Sequence, residues 1–98
     1  MKIHTEALQF KASEKLLNRL EDKLGKLDRI FDRIIDAKVN LKLENSGQVK
    51  DKITEVRLNL PGQVLMATAT EKTFETGIDD VVASLKRQLI KYKERLRS

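Results

Sequence analysis

Apolar residues in this sequence recur with two different periods, and the two periods alternate along the chain. Every second position is apolar or small in four segments, at 1–7, 34–44, 54–60 and 64–70. Positions three and four apart are apolar in two longer segments, at 14–31 and 74–96. A period of two predicts a strand with one covered face, and a period near 3.6 predicts an amphipathic helix. The predicted order of elements is therefore β-α-β-β-β-α.

The predicted strands each offer one apolar face, which restricts how the helices can pack. Both helices must cover the same face of the sheet, because the other face carries polar side chains. Pro61-Gly62 is the strongest turn signal, since proline presets φ and glycine accepts a positive φ. The polar residues 45–52 predict a long, mobile loop that opens with a turn at Asn45-Ser46-Gly47. We expect one α+β domain over residues 1–98, with a four-stranded sheet and two helices packed on one face.

The helices have recognisable starting residues. Ser13 is a good N-cap for the first helix, and Thr73 is one for the second. Gly25 lies inside the first predicted helix, on its outer face, and should weaken that helix by about 1 kcal/mol relative to alanine. The second helix is defined by one apolar stripe: Phe74, Ile78, Val81, Val82, Leu85, Leu89, Tyr92 and Leu96.

No catalytic constellation is visible in the sequence. The chain has no cysteine, and its single histidine, His4, falls on a predicted strand where we expect a surface position. Asp79-Asp80 falls early in a helix, where the helix dipole favours negative charge without any metal. We therefore expect no enzyme activity, no cofactor and no small-molecule substrate. No leader pattern or membrane-length apolar run is present, so a cytoplasmic protein is the default expectation.

Positive charge is concentrated on the two predicted helices of a chain with formal net charge +5. The first helix carries four cations at spacings of three and four, which places them on one flank: Lys15, Arg19, Lys23 and Lys26. The second helix carries six cations after Leu85: Lys86, Arg87, Lys91, Lys93, Arg95 and Arg97. Their run covers about three turns, whereas the helix dipole favours cations over about one. Side by side, the helices could merge these charges into one positive surface, for which phosphate backbones are the commonest partner.

The charge pattern alone leaves other interpretations open. A charged flank is often only a solvated face, and a basic helix can also bind an acidic protein. Aromatic residues are few: Phe10, Phe31 and Phe74 fit the core, and no aromatic platform for stacking bases is visible on the sheet. If the partner is RNA, binding should depend on RNA shape and phosphate rather than on base sequence.

Two segments carry a resemblance to a known family. They are KLDRIFDRI, residues 26–34, and TFETGIDDVVASLKRQLIKYKERL, residues 73–96. The second segment has an aromatic residue, an Ile-Asp pair, a Leu-x-Arg-Gln-Leu core and a Lys-x-Lys segment in the family's order. Over essentially its whole length the chain resembles the short form of the ribosome hibernation-promoting factors, also called ribosome-associated inhibitors, of the sigma-54 modulation protein family.

This resemblance implies a domain similar to double-stranded-RNA-binding domains and without a C-terminal dimerisation domain. We expect a monomer in solution. The resemblance also implies binding to the ribosomal RNA of the small ribosomal subunit near the decoding centre, where the protein would sterically block mRNA and tRNA. Seven residues would contact RNA: Lys23, Lys26, Arg29, Lys86, Arg87, Lys91 and Lys93. The alternatives are a general structured-RNA-binding domain and a protein-interaction module with an acidic partner.

The sequence departs from the family pattern at the start of the second helix. Phe74 stands where tyrosine is common, and Glu75-Thr76-Gly77 stands where two small residues are common. Gly77 is expected to loosen the first turn of the helix. Lys72 stands where an acidic cap is common, which favours Thr73 as the N-cap.

Overall fold

Within residues 1–46 and 49–97, the computed structural model contains four strands and two α-helices in the predicted order. They are β1 (Lys2–Leu8), α1 (Glu14–Gly25), β2 (Asp36–Ser46), β3 (Val49–Leu60), β4 (Gln63–Glu71) and α2 (Phe74–Arg97). A short 3-10 helix, Lys26–Arg29, follows α1 directly. The α+β class, the four-stranded sheet and the two helices are confirmed.

The strands lie side by side in the order β1-β2-β3-β4. β1 is parallel to β2, because α1 carries the chain back across the sheet between them, and the β2–β3 and β3–β4 pairs are antiparallel. Val39 and Val56 point to one face and are buried, whereas Lys38 and Arg57 point to the other face and are exposed. Both helices therefore cover the same face, as predicted, and the second face stays open.

The β2–β3 hairpin is longer than the sequence predicts. The expected loop at 45–52 is wrong, because β2 runs to Ser46, β3 begins at Val49, and these two residues are register partners. Both β1 and β4 end before the hairpin does. The far part of the hairpin thus has no flanking strand among the described residues and needs no alternating apolar face, so the period-two signal is lost there. The predicted turn at 45–47 falls partly outside the described residues.

The β3–β4 turn marks the end of the sheet beneath α2. Pro61-Gly62 forms the predicted two-residue turn, with Leu60 and Gln63 as register partners and a φ of +75° at Gly62. The hydroxyl of Tyr92 donates a hydrogen bond to the carbonyl oxygen of Pro61 over 3.2 Å. α2 continues for about one more turn beyond this contact. Leu96 is consequently 53% exposed, and its assignment to the apolar stripe is wrong.

One core joins the helices to the sheet. α1 contributes Leu20 and Leu24, and α2 contributes Leu85 and Leu89, all 0% exposed. They pack against the inward side chains of the strands in a single cluster. The aromatic residues extend this core as two ring pairs, Phe10 with Phe74 and Phe31 with Tyr92.

α1 begins where the sequence predicts but ends earlier. Ser13 caps it as expected, since its Oγ accepts a hydrogen bond over 3.1 Å from a backbone N–H three residues later. The α-helix ends at Gly25 and tightens into the 3-10 helix Lys26–Arg29. Leu27 and Phe31 stay buried, so the apolar stripe continues and the sequence period does not reveal the change of geometry. Gly25 is therefore half-buried at the end of α1 rather than exposed on its outer face.

Gly77 lets α2 approach β3 closely. Thr73 caps α2 as predicted, because its Oγ1 accepts a hydrogen bond from the backbone N–H of Thr76 over 3.1 Å. Gly77 itself is buried, and a Cβ at this position would lie 2.7 Å from Oγ1 of Thr54, a side chain that is 0% exposed. Instead of loosening the first turn, the missing side chain allows helix and strand to touch.

Gly77→Ala is expected to lower the free energy of unfolding by about 1–3 kcal/mol, because the added methyl group overlaps Thr54 in a packed core. Urea denaturation followed by circular dichroism measures the change. Gly25→Ala is the matched control, since nothing lies within 4 Å of its Cβ and its φ is −57°. It is expected to stabilise the protein by about 0.4–1 kcal/mol. Equal changes in the two variants would contradict close packing at Gly77.

Candidate nucleic-acid interface

The seven cations that the resemblance assigns to RNA contact all lie on the helical side of the molecule. One is on α1, two are on the 3-10 helix and four are on α2. Five are exposed: Lys26, Arg29, Lys86, Arg87 and Lys91. The other two, Lys23 and Lys93, are partly buried. Their exposure leaves them accessible to a macromolecular partner, but their neighbours differ.

Lys23 lies at an ion-pair cluster between α1 and the start of α2. The carboxylate of Asp79 accepts hydrogen bonds from Nη2 of Arg19 over 3.1 and 3.3 Å, and Nζ of Lys23 lies 3.9 Å from the same carboxylate. All three side chains are between one third and one half exposed. Asp79 therefore does more than favour the helix dipole, because it partly neutralises the basic flank of α1.

The two flanks of α2 have different neighbours. Residues seven apart fall on nearly the same side of a helix, so Lys86 and Lys93 follow Asp79 along the flank that faces α1. Lys91 borders a shallow cleft against the first residues of β4. Arg87 precedes Lys91 by four residues and lies on the same flank. The predicted cations thus continue around the outer surface of α2 rather than meeting at one point.

The C-terminal ends of the two helical segments meet in a basic cleft of about 500 Å³, here called the terminal cleft. Its lining includes four cations, Arg29, Arg33, Lys93 and Arg97, and two acids, Asp28 and Asp32. The apolar residues of the lining are Ile30, Phe31 and Leu96. One of the acids is already paired, because Oδ2 of Asp28 lies 3.1 Å from the α-ammonium group of Met1. The terminal cleft therefore has an excess of positive charge and brings Arg29 and Lys93 together.

Two cations that line the terminal cleft, Arg33 and Arg97, are not among the seven residues that the resemblance assigns to RNA contact. Arg97 follows Lys93 by four residues on α2, so its place on the same flank could have been found from helical spacing. Helical spacing does not place Arg33, because this residue follows the 3-10 helix and its position depends on the path of the chain between Arg29 and β2. Its guanidinium carbon lies over the ring of Phe31, 5.2 Å from the ring centroid.

The other end of α2 is acidic. The carboxyl group of Glu71 shares a hydrogen bond with Asp80, and this bond, together with repulsion from the Asp80 charge, raises the pKa of Glu71 above its usual value. A carboxyl whose pKa is raised by folding favours the folded state at low pH, and this contribution is lost as pH rises through the raised pKa. An acidic start and a basic end match the helix dipole and direct an anionic partner toward the C-terminal half of α2.

Other kinds of site find little support in the described part of the chain. No group of three or more His, Cys, Asp or Glu side chains there could hold a metal ion. His4 is exposed on the open face of the sheet, as predicted. Among the same residues, no helix has the length and apolar character needed to cross a membrane.

Comparison with known proteins gives one consistent result. The sequence profile of the family described as "Sigma 54 modulation protein / S30EA ribosomal protein" matches residues 3–97. The chain is 33% identical over 95 residues to a ribosome hibernation promoting factor of Azotobacter vinelandii, covering 97% of this chain and 85% of that protein. It is 34% identical over 85 residues to a ribosome hibernation promotion factor of Deinococcus radiodurans, and these residues span only 44% of that longer protein.

Solved structures agree on the fold. A ribosomal subunit interface protein from Coxiella burnetii superposes with a TM-score of 0.86 at 24% identity, covering 96% of this chain and 99% of that chain. The N-terminal domain of Protein Y from Thermus thermophilus superposes with a TM-score of 0.82 at 26% identity, covering 94% and 99%. With the profile match over nearly all residues, these findings show that the chain belongs to the sigma 54 modulation protein / S30EA ribosomal protein family.

Proposed function

We propose that this protein is a ribosome hibernation factor that binds ribosomal RNA of the small subunit near the decoding centre. Bound there, it would occupy space needed by mRNA and tRNA, and it would inhibit translation without making or breaking a bond. The protein acts in the cytoplasm as a monomer, with residues 1–98 as its ribosome-binding domain. Family membership supports the ribosome as partner, because relatives that match this chain are named for ribosome hibernation.

The observation that carries the proposal is the excess of exposed cations over acids on the second half of α2. Lys86, Arg87 and Lys91 are exposed on α2, whose second half carries Glu94 as its one acid. On the open face of the sheet, charges are more evenly matched, since Lys42 pairs with Glu55. Phosphate contacts are therefore favoured on the helical side, where a rigid helix holds several cations in a fixed arrangement.

Cosedimentation with ribosomes and with separated subunits tests the proposal. We expect saturable pelleting with small subunits and intact ribosomes at moderate salt, and none with large subunits. Free RNA duplex should bind more weakly, because it lacks the shape of the ribosomal site. Pelleting with all particles at low salt and with none at moderate salt would instead indicate a general basic surface, which is the structured-RNA-binding alternative. An acidic protein partner would also give salt-sensitive binding, but with a shallower slope, because no condensed counterions are released from a phosphate backbone.

Asp79→Asn is expected to tighten ribosome binding by roughly three- to tenfold at moderate salt, because it releases Arg19 and Lys23 to contact phosphate. The slope of log affinity against log salt concentration should become steeper by about one, which corresponds to about one more counterion released on binding. A salt titration of the dissociation constant measures both effects.

Asp80→Asn is the matched control for this prediction. It removes one negative charge from the neighbouring residue, whose partner is Glu71 rather than the cations of α1. Its effect on affinity is expected to be small. If both variants bind equally tightly, Asp79 acts only through net charge and does not compete with phosphate for its two partners.

A further inference from the structure

The terminal cleft has a composition that phosphate binding alone does not explain. Leu96 is 53% exposed in its lining, and Ile90, which borders an adjoining cleft, is 40% exposed. Lys93 lines both of these clefts, so apolar and cationic side chains alternate on this surface. A row of phosphate groups offers anionic oxygens but no apolar face to match exposed leucine and isoleucine.

Arg33 adds a planar group at the edge of this cleft. One side of its guanidinium group lies over the buried ring of Phe31, with the guanidinium carbon 5.2 Å from the ring centroid. Arg33 is exposed, so its guanidinium group lies over the ring and remains accessible from solvent. Guanidinium planes of this kind stack on unpaired bases as aromatic rings do.

We infer that the terminal cleft binds one unpaired nucleotide of RNA, with its base on Arg33 and its phosphate on Arg29 and Arg97. Leu96 contacts the apolar face of the base or ribose, and the volume of about 500 Å³ is within the range of small-ligand sites. This inference rests on the proposed RNA-binding function and adds to it a second mode of recognition. Arg33 would thus provide a base-stacking group in a protein whose predicted strands carry no aromatic platform.

Two RNA hairpins test the inference directly. One is fully paired over about 16 base pairs, and the other is identical except for a single bulged nucleotide. The wild-type protein is expected to bind the bulged hairpin about tenfold more tightly, as one stacked base provides. The Nε–Hε resonance of Arg33 should shift with the bulged hairpin and not with the paired one.

Arg33→Lys separates stacking from charge, because lysine keeps the positive charge but has no planar group. We expect this variant to lose the preference for the bulged hairpin while the salt dependence stays unchanged. Arg57→Lys, on the open face of the sheet, is the matched control and should keep the preference. If Arg33→Lys keeps it, or if the wild type binds both hairpins equally, the nucleotide site is wrong although RNA binding stands. If the wild type binds neither hairpin and does not bind the ribosome, the proposed function and the inference both fail.

Discussion

Replacing Lys86, Arg87 and Lys91 together by glutamate is expected to abolish ribosome binding while leaving the fold intact. All three side chains are exposed, and their positions on α2 lie outside the buried stripe of this helix. If each contacts phosphate, the triple reversal removes three attractive contacts and adds three repulsive ones. Affinity should then fall by more than about a hundredfold at moderate salt. Cosedimentation with small subunits measures binding, and circular dichroism with urea denaturation measures the fold.

A charge-matched variant on the open face of the sheet is the control for this reversal. Lys2, Lys38 and Arg57 are exposed there, and their replacement by glutamate changes the net charge by the same amount. This control variant is expected to keep most of the affinity, because its charges lie on the face opposite the helices. Comparable loss in both variants would mean that net charge alone drives binding. Retained binding in a folded variant with Lys86, Arg87 and Lys91 reversed would contradict the proposed interface on α2.

α1 is expected to contribute less to ribosome binding than α2. Two of the three cations at Lys15, Arg19 and Lys23 already face the carboxylate of Asp79. Phosphate binding there would have to displace an existing ion pair, so its net contribution is smaller than that of a cation without an acidic neighbour. Neutralising these three residues is therefore expected to weaken binding less than neutralising the α2 set. An equal or larger loss, measured by the same cosedimentation, would move the main contact to α1.

The order of elements could be predicted from the sequence because each element has its own local signal. The period-two pattern of β3 and the cap at Thr73 are set by residues near in sequence, and both agree with the structure. The misplaced features depend on tertiary neighbours instead. The length of the β2–β3 hairpin depends on where β1 and β4 stop, and the role of Gly77 depends on Thr54 in a distant strand. Local patterns do not contain this information.

The candidate site could be predicted only in part for a similar reason. Counting charges along α2 locates the basic helix without any knowledge of its neighbours. The pairing of Asp79 with Arg19 joins residues sixty positions apart, so the local sequence around Asp79 predicts only a favourable interaction with the helix dipole. Arg33 enters the terminal cleft because the chain tightens into a 3-10 helix before it, a change that the apolar stripe does not record. The positions of the cations along the chain could therefore be predicted, but the ion pairs and clefts that they form in the fold could not.

Leu85→Ala and Leu89→Ala are each expected to lower the free energy of unfolding by about 2–5 kcal/mol. Both side chains are 0% exposed, and each substitution removes buried methyl groups and leaves a cavity between α2 and the sheet. Urea denaturation followed by circular dichroism measures the loss. A domain of this size has only about 5–15 kcal/mol of stability, so a loss near the upper end would leave part of the protein unfolded at moderate temperature.

Leu96→Ala is the internal control, because it makes the same chemical change on the same helix at a residue that is 53% exposed. Its effect is expected to stay within about 0.5 kcal/mol, as for other surface substitutions. A large loss at Leu96 with little loss at Leu85 or Leu89 would mean that α2 packs with a different face toward the sheet. The assignment of Lys86, Arg87 and Lys91 to the outer surface would then fail as well, because the same helix rotation sets both. The stability series thus tests the orientation on which the proposed RNA interface depends, without requiring a ribosome in the assay.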